Sequence, residues 1–359
     1  MKVTSKIVFL IVLIFTGHPS YGTDAFTLDR AIESALANNP AYQGALFDEK
    51  AAGFRPSQAA SLPDPLFMME TTGVPMDSID VRQGNPIDYM VEQQIPFPSK
   101  LIYGYKAEAF EAKAQSSRKD ATRDELVRQV TNTYVQLWVI NKEKEISANT
   151  LQIYGEGKKS AERGYASAKG SVSDPVRASV DMGELEGRIA LLEQEELKAL
   201  ARLSALMGNP VGPDIKTEDP PLPTLTKNLD ELIQEALTSK PEINEAENEV
   251  LAERARLSLA KSQYAPDFSL RWGYMDMPAG QQNTWLGRVG FSLPFWFFSK
   301  QNPGVKESGA MVNKARSLKN EATLNTEAEV RSTLAQYNAA NKIVEIYQNT
   351  VLPRVNLLV

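Results

Sequence analysis

Two stretches of this 359-residue chain, about two hundred residues apart, are copies of one another. Residues 28–42 read LDRAIESALANNPAY and residues 229–243 read LDELIQEALTSKPEI, with six of fifteen positions identical at an offset of 201: Leu28/Leu229, Asp29/Asp230, Ile32/Ile233, Ala35/Ala236, Leu36/Leu237 and Pro40/Pro241. The echo returns downstream, where IPFPSK (95–100) answers LPFWFFSK (293–300) and Asn149-Thr150-Leu151 answers Asn349-Thr350-Val351. A period this long exceeds that of a solenoid repeat. It means a duplicated unit of mixed helix and strand.

The N-terminus reads as an export signal. Lys2 and Lys6 precede the apolar run Ile7 to Phe15, then come Gly17, Pro19 and the small residues around Tyr21, which places cleavage after Gly22. Nine apolar residues are too few for a membrane helix, which needs about 20. Residues 1–22 carry two lysines and no acid, so their removal takes the formal charge from −6 to −8 and argues against a nucleic-acid partner. The single histidine, His18, leaves with the signal, and the chain has no cysteine. Nucleophilic sites of the serine/histidine or cysteine/histidine kind are thereby excluded, as are thiolate or imidazole zinc sites. The expectation is no enzyme, no catalytic residue, no metal site and no cofactor. No disulfide is possible, and no cysteine follows the signal to take a lipid anchor.

Beyond residue 22 no apolar run is long enough for a spanning helix. Long amphipathic segments take its place. The first repeat, 23–208, divides into a helix over 27–60 with a break at Pro40, a β-hairpin over 65–96 and a long helical hairpin over 99–208, with Ser99 as N-cap. Leu126, Val130, Thr133, Leu137 and Ile140 are spaced 4, 3, 4, 3, a heptad seam. The chain turns at Gly170-Ser171-Val172-Ser173-Asp174, where Gly170 suits a helix end, Ser173 or Asp174 a cap, and Pro175 the first turn of the return. Residues 209–228 hold five prolines and read as an extended linker. The second repeat, 229–359, gives a helix over 229–263, a hairpin over 266–296 and a long helix over 303–359. With an offset of about 200, Val359 corresponds to position 159, so this copy is expected to be incomplete, lacking counterparts of about 49 residues (160–208), as a truncated chain or fragment would.

Between the helices the period changes to two. Phe268, Leu270, Trp272 and Tyr274 alternate with Ser269, Arg271 and Gly273, and Trp285, Val289, Phe291, Leu293 and Phe295 with Arg288, Gly290 and Ser292. In the first copy Ile87, Tyr89, Val91 and Ile95 alternate with Asp88, Met90, Glu92 and Gln94, whereas Leu66 to Thr72 is weakly patterned. Runs of this length with one aromatic face fit tilted membrane strands of about 9–11 residues. Four strands cannot close a barrel, whose smallest form has about eight. Several chains would have to share one.

At this point the whole chain resembles the TolC-type outer-membrane factors, on the duplicated helix, hairpin, helix order, the IPFPSK and LPFWFFSK entries into long helices, the Gly170 to Asp174 turn and the KALARLSALMGNP close at 198–210. Within that family it looks most like the branch serving heavy-metal and drug pumps of the resistance-nodulation-division type. The resemblance implies a mainly α fold with a transmembrane β part: long coiled-coil helices forming an α-barrel, and a β-barrel shared by a homotrimer. It implies an outer-membrane exit duct with a periplasmic extension, passively conducting substrates from an inner-membrane transporter and a periplasmic adaptor (membrane fusion protein). Gly170, Ser171, Val172, Ser173 and Asp174 would meet the adaptor, and the proline-rich segment would join an equatorial collar. Tyr89, Trp272, Tyr274, Trp285 and Phe291 read as aromatics at the membrane interface, against outer-membrane lipid. The other readings are an exit duct for type I protein secretion and a non-channel periplasmic coiled-coil or adaptor protein. Met68, Met69, Met76, Met90, Met275 and Met277 read as strand and loop surface rather than a soft-metal relay. Glu143, Glu145, Glu184 and Glu186 read as a solvated helix face.

Overall fold

The computed structural model describes residues 26–80, 83–167, 171–213, 215, 217–221 and 225–355. Its order is α1 (Leu28–Asn38), α2 (Pro40–Ala52), α3 (Arg55–Ala59), β1 (Leu66–Thr71), β2 (Ile87–Ile95), α4 (Pro98–Ala166), α5 (Ser173–Met207), α6 (Leu229–Ser239), α7 (Pro241–Ser262), β3 (Phe268–Asp276), β4 (Thr284–Phe291) and α8 (Gln301–Ile346). A π-helical turn, Tyr347–Val351, and a last short helix, α9 (Leu352–Val355), follow. The fold is mainly helical with one four-stranded sheet.

Proline sets most of the helix boundaries. Pro40 and Pro241 each occupy the first helical position, where the missing N–H costs nothing, and each forces the preceding residue into extended backbone. Asn39 sits at φ −65°, ψ 121° and Lys240 at φ −68°, ψ 125°, so the two copies bend alike. Pro56 then ends α2, because its ring would collide with the carbonyl of residue 52 in a continuing helix. The second copy has Leu257 at that point, and α7 runs on to Ser262. Pro98 opens α4, so Ser99 lies inside the first turn and not at the cap. Pro353 has no N–H to donate to the preceding turn, and that turn widens to the π form.

By packing, the chain falls into two compact units that do not follow the repeats. One takes in the chain up to Ser34 together with Val130–Pro221; the other takes in Ala35–Gln129 and Leu222–Val359. In the first unit, the buried residues of α4 are Val130, Thr133, Tyr134, Leu137 and Ile140, and those of α5 are Leu192, Ala199, Leu200, Leu203, Leu206 and Met207. All five residues of the predicted heptad seam are buried, Leu126 included. Lys144–Glu196 and Arg188–Glu143 (2.6 Å) tie α4 to α5. Gly208, at φ 66°, ends α5 in the left-handed conformation that glycine adopts without strain.

In the second unit α6 and α7 pack on α8. The buried stripe Ile243, Ala246, Val250 and Ala255 of α7 and Val312, Ala315 and Thr326 of α8 form its helical core. Arg118 of α4 reaches across to α7, with Nε donating to Glu245 at 2.6 Å and Nη2 to Glu249. Arg256 of α7 answers with a 3.1 Å contact to Glu111 of α4. Helices of different copies are thus joined by charge.

Candidate channel wall and helix tip

The sheet is antiparallel throughout, in the order β1-β2-β3-β4, so the hairpin of each copy contributes one half and β2–β3 is the seam. Because side chains alternate along a strand, register assigns each residue to a face. Tyr89, Tyr274 and Trp285 lie in one cross-strand row, Val91 and Trp272 in the next, then Leu270 and Val289, then Ile95, Phe268 and Phe291. Phe67 and Met69 of β1 continue the first two rows. This face is apolar across all four strands except for Gln93, which pairs with Leu270, and it is largely exposed, with aromatic rows at both ends and Phe67, Trp272 and aliphatic residues between. Trp285 packs edge-on against Tyr274 and Trp272, with ring centroids 5.5 and 5.9 Å apart. The predicted interface aromatics therefore share one face, Phe291 at one end of it and Tyr89, Tyr274 and Trp285 at the other.

The opposite face carries Asp88, Glu92, Gln94, Ser269, Arg271 and Arg288. Arg271 stands directly across from Arg288, a like-charge pairing, and Glu92 on its other side accepts from it at 2.9 and 2.5 Å. Met90 is the buried residue of this face and lies over Gly273, where a Cβ would come within 2.5 Å of the methionine side chain. Of the methionines in the hairpins, Met68 and Met90 are cross-strand partners. The seam is locked at its base by Asp267, which accepts from the Phe97 N–H and from Lys100 Nζ, both at 2.8 Å.

At the other functional candidate, Gly170 lies outside the described residues. Ser171, Val172, Ser173 and Asp174 are exposed, at the start of α5. The cap differs from the sequence expectation: Val172 holds the N-cap position, with no side-chain cap bond, and Ser173 and Asp174 already lie in the first turn. Just before it the Ser171 hydroxyl accepts from the Ser173 N–H at 3.3 Å, while Asp174 Oδ2 accepts from the Ser171 N–H at 3.4 Å.

A third constellation escaped the sequence reading. The start of the described chain and the proline-rich segment form a parallel bridge, Phe26 with Thr217, and the buried Tyr134 hydroxyl donates between them, 2.6 Å to the Phe26 carbonyl and 3.1 Å to that of Glu218. Burial, chiefly, raises the Tyr134 pKa. Trp138 Nε1 donates to Asp219 at 2.8 Å and Lys142 lies 3.4 Å away, and these two hold the Asp219 carboxyl below its ordinary value. The signal was present: Tyr134 lies on the helical stripe of Val130 and Leu137 as closely as Thr133 does.

Among the described residues no helix is long and apolar enough to cross a membrane, and no three His, Cys, Asp or Glu side chains converge as a metal site. Residues 232–353 match the model of the outer membrane efflux protein family. The fold of the chain is that of the TolC-type channels. Three solved structures illustrate the fold. A membrane protein from Pseudomonas aeruginosa superposes with a TM-score of 0.74 at 16% identity, over 89% of this chain and 79% of that one. CusC, described in connection with transmembrane channel formation, gives 0.72 at 18% identity, over 89% and 78%. The outer membrane protein VceC from Vibrio cholerae gives 0.66 at 18%, over 92% and 80%. No curated protein sequence matches. The family match falls on the second copy, α6 to α9, while the structural likeness extends over both. The matched segment thus holds β3 and β4, and the rest of the sheet comes from the hairpin of the first copy.

Proposed function

We propose that the chain is the outer-membrane exit duct of a tripartite efflux pump, working as a homotrimer. The observation that carries this is the sheet: an apolar, aromatic-rimmed face, a charged opposite face, and two edges, β1 and β4, that have no strand partner among the described residues. An open sheet with such edges is a template for pairing with another copy. Three copies give twelve strands, above the minimum of about eight for a transmembrane barrel, with the apolar face to lipid and Glu92, Arg271 and Arg288 to the lumen. Conduction is passive, driven by an inner-membrane transporter, and the Ser171–Asp174 turn meets a periplasmic adaptor. The mature protein begins after residue 22 and resides in the outer membrane.

Membrane fractionation followed by gel electrophoresis with and without boiling tests the core of this. The expected result is an outer-membrane protein migrating as a heat-labile trimer. Recovery as a soluble monomer would sink the proposal. Asp174→Trp is expected to impair export with the trimer intact, and unchanged export would remove the adaptor role from the turn.

A further inference from the structure

Each hairpin carries a like-charge pair on the polar face of the sheet, and the two pairs are of opposite sign. Arg288 of β4 lies across from Arg271, and Glu70 of β1 lies across from Asp88. Like charges placed directly opposite one another on a sheet are destabilising. Glu92 compensates Arg271, whereas Arg288 and Glu70 have no ion-pair partner among the described residues and are both exposed. They stand on the two edge strands. A barrel built from several copies brings those two edges together, and strand geometry then decides which residues meet.

The Ser292 N–H donates to the Asp267 carbonyl at 2.9 Å, so the odd residues of β3 direct their backbone N–H and C=O groups toward β4. The even ones, whose side chains form the apolar face, direct theirs toward β2. For L-residues this places β2 to the right of β3 when the apolar face is viewed with the hairpin turns upward, and β1 to β4 run from right to left. The right-handed twist of a sheet tilts the strands of a closed barrel upward to the right, so a row of paired residues climbs toward the left. With strands about 4.8 Å apart and tilted by about 35–45°, such a row meets β1 of the next copy roughly 4–6 residues nearer the turns than it crosses β1 of its own. Only an even displacement keeps apolar side chains opposite apolar ones. A displacement of about four lays Phe67–Thr71 along Gly287–Phe291, whereas about six would pair only Met69–Thr71. At four, Glu70 of the next copy stands across from Arg288. The two form a non-hydrogen-bonded pair, the kind with the closer side chains, as Glu92 and Arg271 do across the seam within the chain.

We infer that Arg288 of one copy and Glu70 of the next form an ion pair across the joint between copies and set the register of that joint. The inference rests on the barrel reading above. The chain has no cysteine, so the pairing can be read by cross-linking. The full-length protein carrying both Arg288→Cys and Glu70→Cys is oxidised in outer-membrane fractions, boiled and run on a denaturing gel. Covalent dimers and trimers should appear, vanish on reduction, and be missing from either single-cysteine variant. A heat-labile trimer without cross-links overturns the register and leaves the barrel standing. Absence of any oligomer from the unaltered protein overturns both. If the cysteine pair does not assemble, an exchange of charges decides. Within one chain Arg288→Glu and Glu70→Arg each turn a like-charge pair into an opposite one, so neither should weaken the sheet itself. Each alone should nevertheless lower the temperature at which the trimer dissociates on the gel, because it sets like charges across the joint, and the double exchange should restore it. An unchanged temperature in the single variants, or losses that add in the double one, overturns the ion pair.

Discussion

Pro40 and Pro241 bend the two copies at equivalent places and by nearly equal angles, yet the two joints are secured differently. At the first, the buried Asn39 side chain accepts from the N–H groups of Ala41 and Tyr42 at 3.0 and 3.1 Å. At the second, Lys240 cannot cap, and its ammonium instead reaches Glu329 of α8 at 2.5 Å. One helix earlier both copies are capped by a side chain, Thr27 accepting from the Arg30 N–H at 3.2 Å and Asn228 from the Glu231 N–H at 2.9 Å, the second in a reciprocal box. Further along, Glu49 of α2 binds Ser116 at 2.6 Å and Lys119 at 3.1 Å, whereas its counterpart at the same offset, Val250 of α7, is buried among apolar neighbours. Duplication preserved the backbone path. Once each copy had different neighbours, the side chains that hold that path diverged.

The strongest way to break the comparison is at the seam, where one carboxylate serves both copies. Asp267→Ala leaves the nearly buried Lys100 ammonium and the Phe97 N–H without their acceptor. The expected loss is roughly 2–3 kcal/mol, read as a lower denaturation midpoint of the purified protein. The joints come next. Asn39→Ala should cost about 1 kcal/mol, the usual value of a lost N-cap, while Lys240→Ala should cost less than about 0.5 kcal/mol, since Glu329 is largely exposed. Equal losses at the two positions would mean that the joints are equivalent after all.

The smallest effect separates the copies by pH. The hydrogen bond from Ser116, with further help from Lys119 and against some desolvation, lowers the Glu49 pKa in the folded chain. A lowered folded value contributes stability above the unfolded pKa and loses it as pH falls through the folded one. The acid limb of the stability profile should therefore flatten slightly in Glu49→Gln. Val250→Ala should lower stability by the same amount at every pH, because no titrating group is involved. A parallel acid limb in Glu49→Gln and the unaltered protein would remove Glu49 from the account.

The sequence by itself determined what depends on a few neighbouring residues: the proline joints, the Leu126-to-Ile140 seam, the two-residue alternation of β2, β3 and β4, and the apolar character of one sheet face. These follow from φ restriction, missing N–H groups and side-chain direction, all of short range. The weak pattern of Leu66–Thr71 left β1 uncertain, since Met68 and Met69 break the alternation. Its partner β2 supplied the register. The tip cap was misplaced because Ser173 and Asp174 each suit a cap by composition, whereas the helix starts at Ser173 with Val172 at the N-cap position. Tertiary structure alone decided that β2 pairs with β3 across the two copies, that Asp267 locks that pairing, and that Tyr134 donates to the bridge formed by Phe26 and Thr217. Those contacts join residues 84 to 189 positions apart. At such separations a partner is chosen by which surfaces the fold brings together, and local preference carries no record of it.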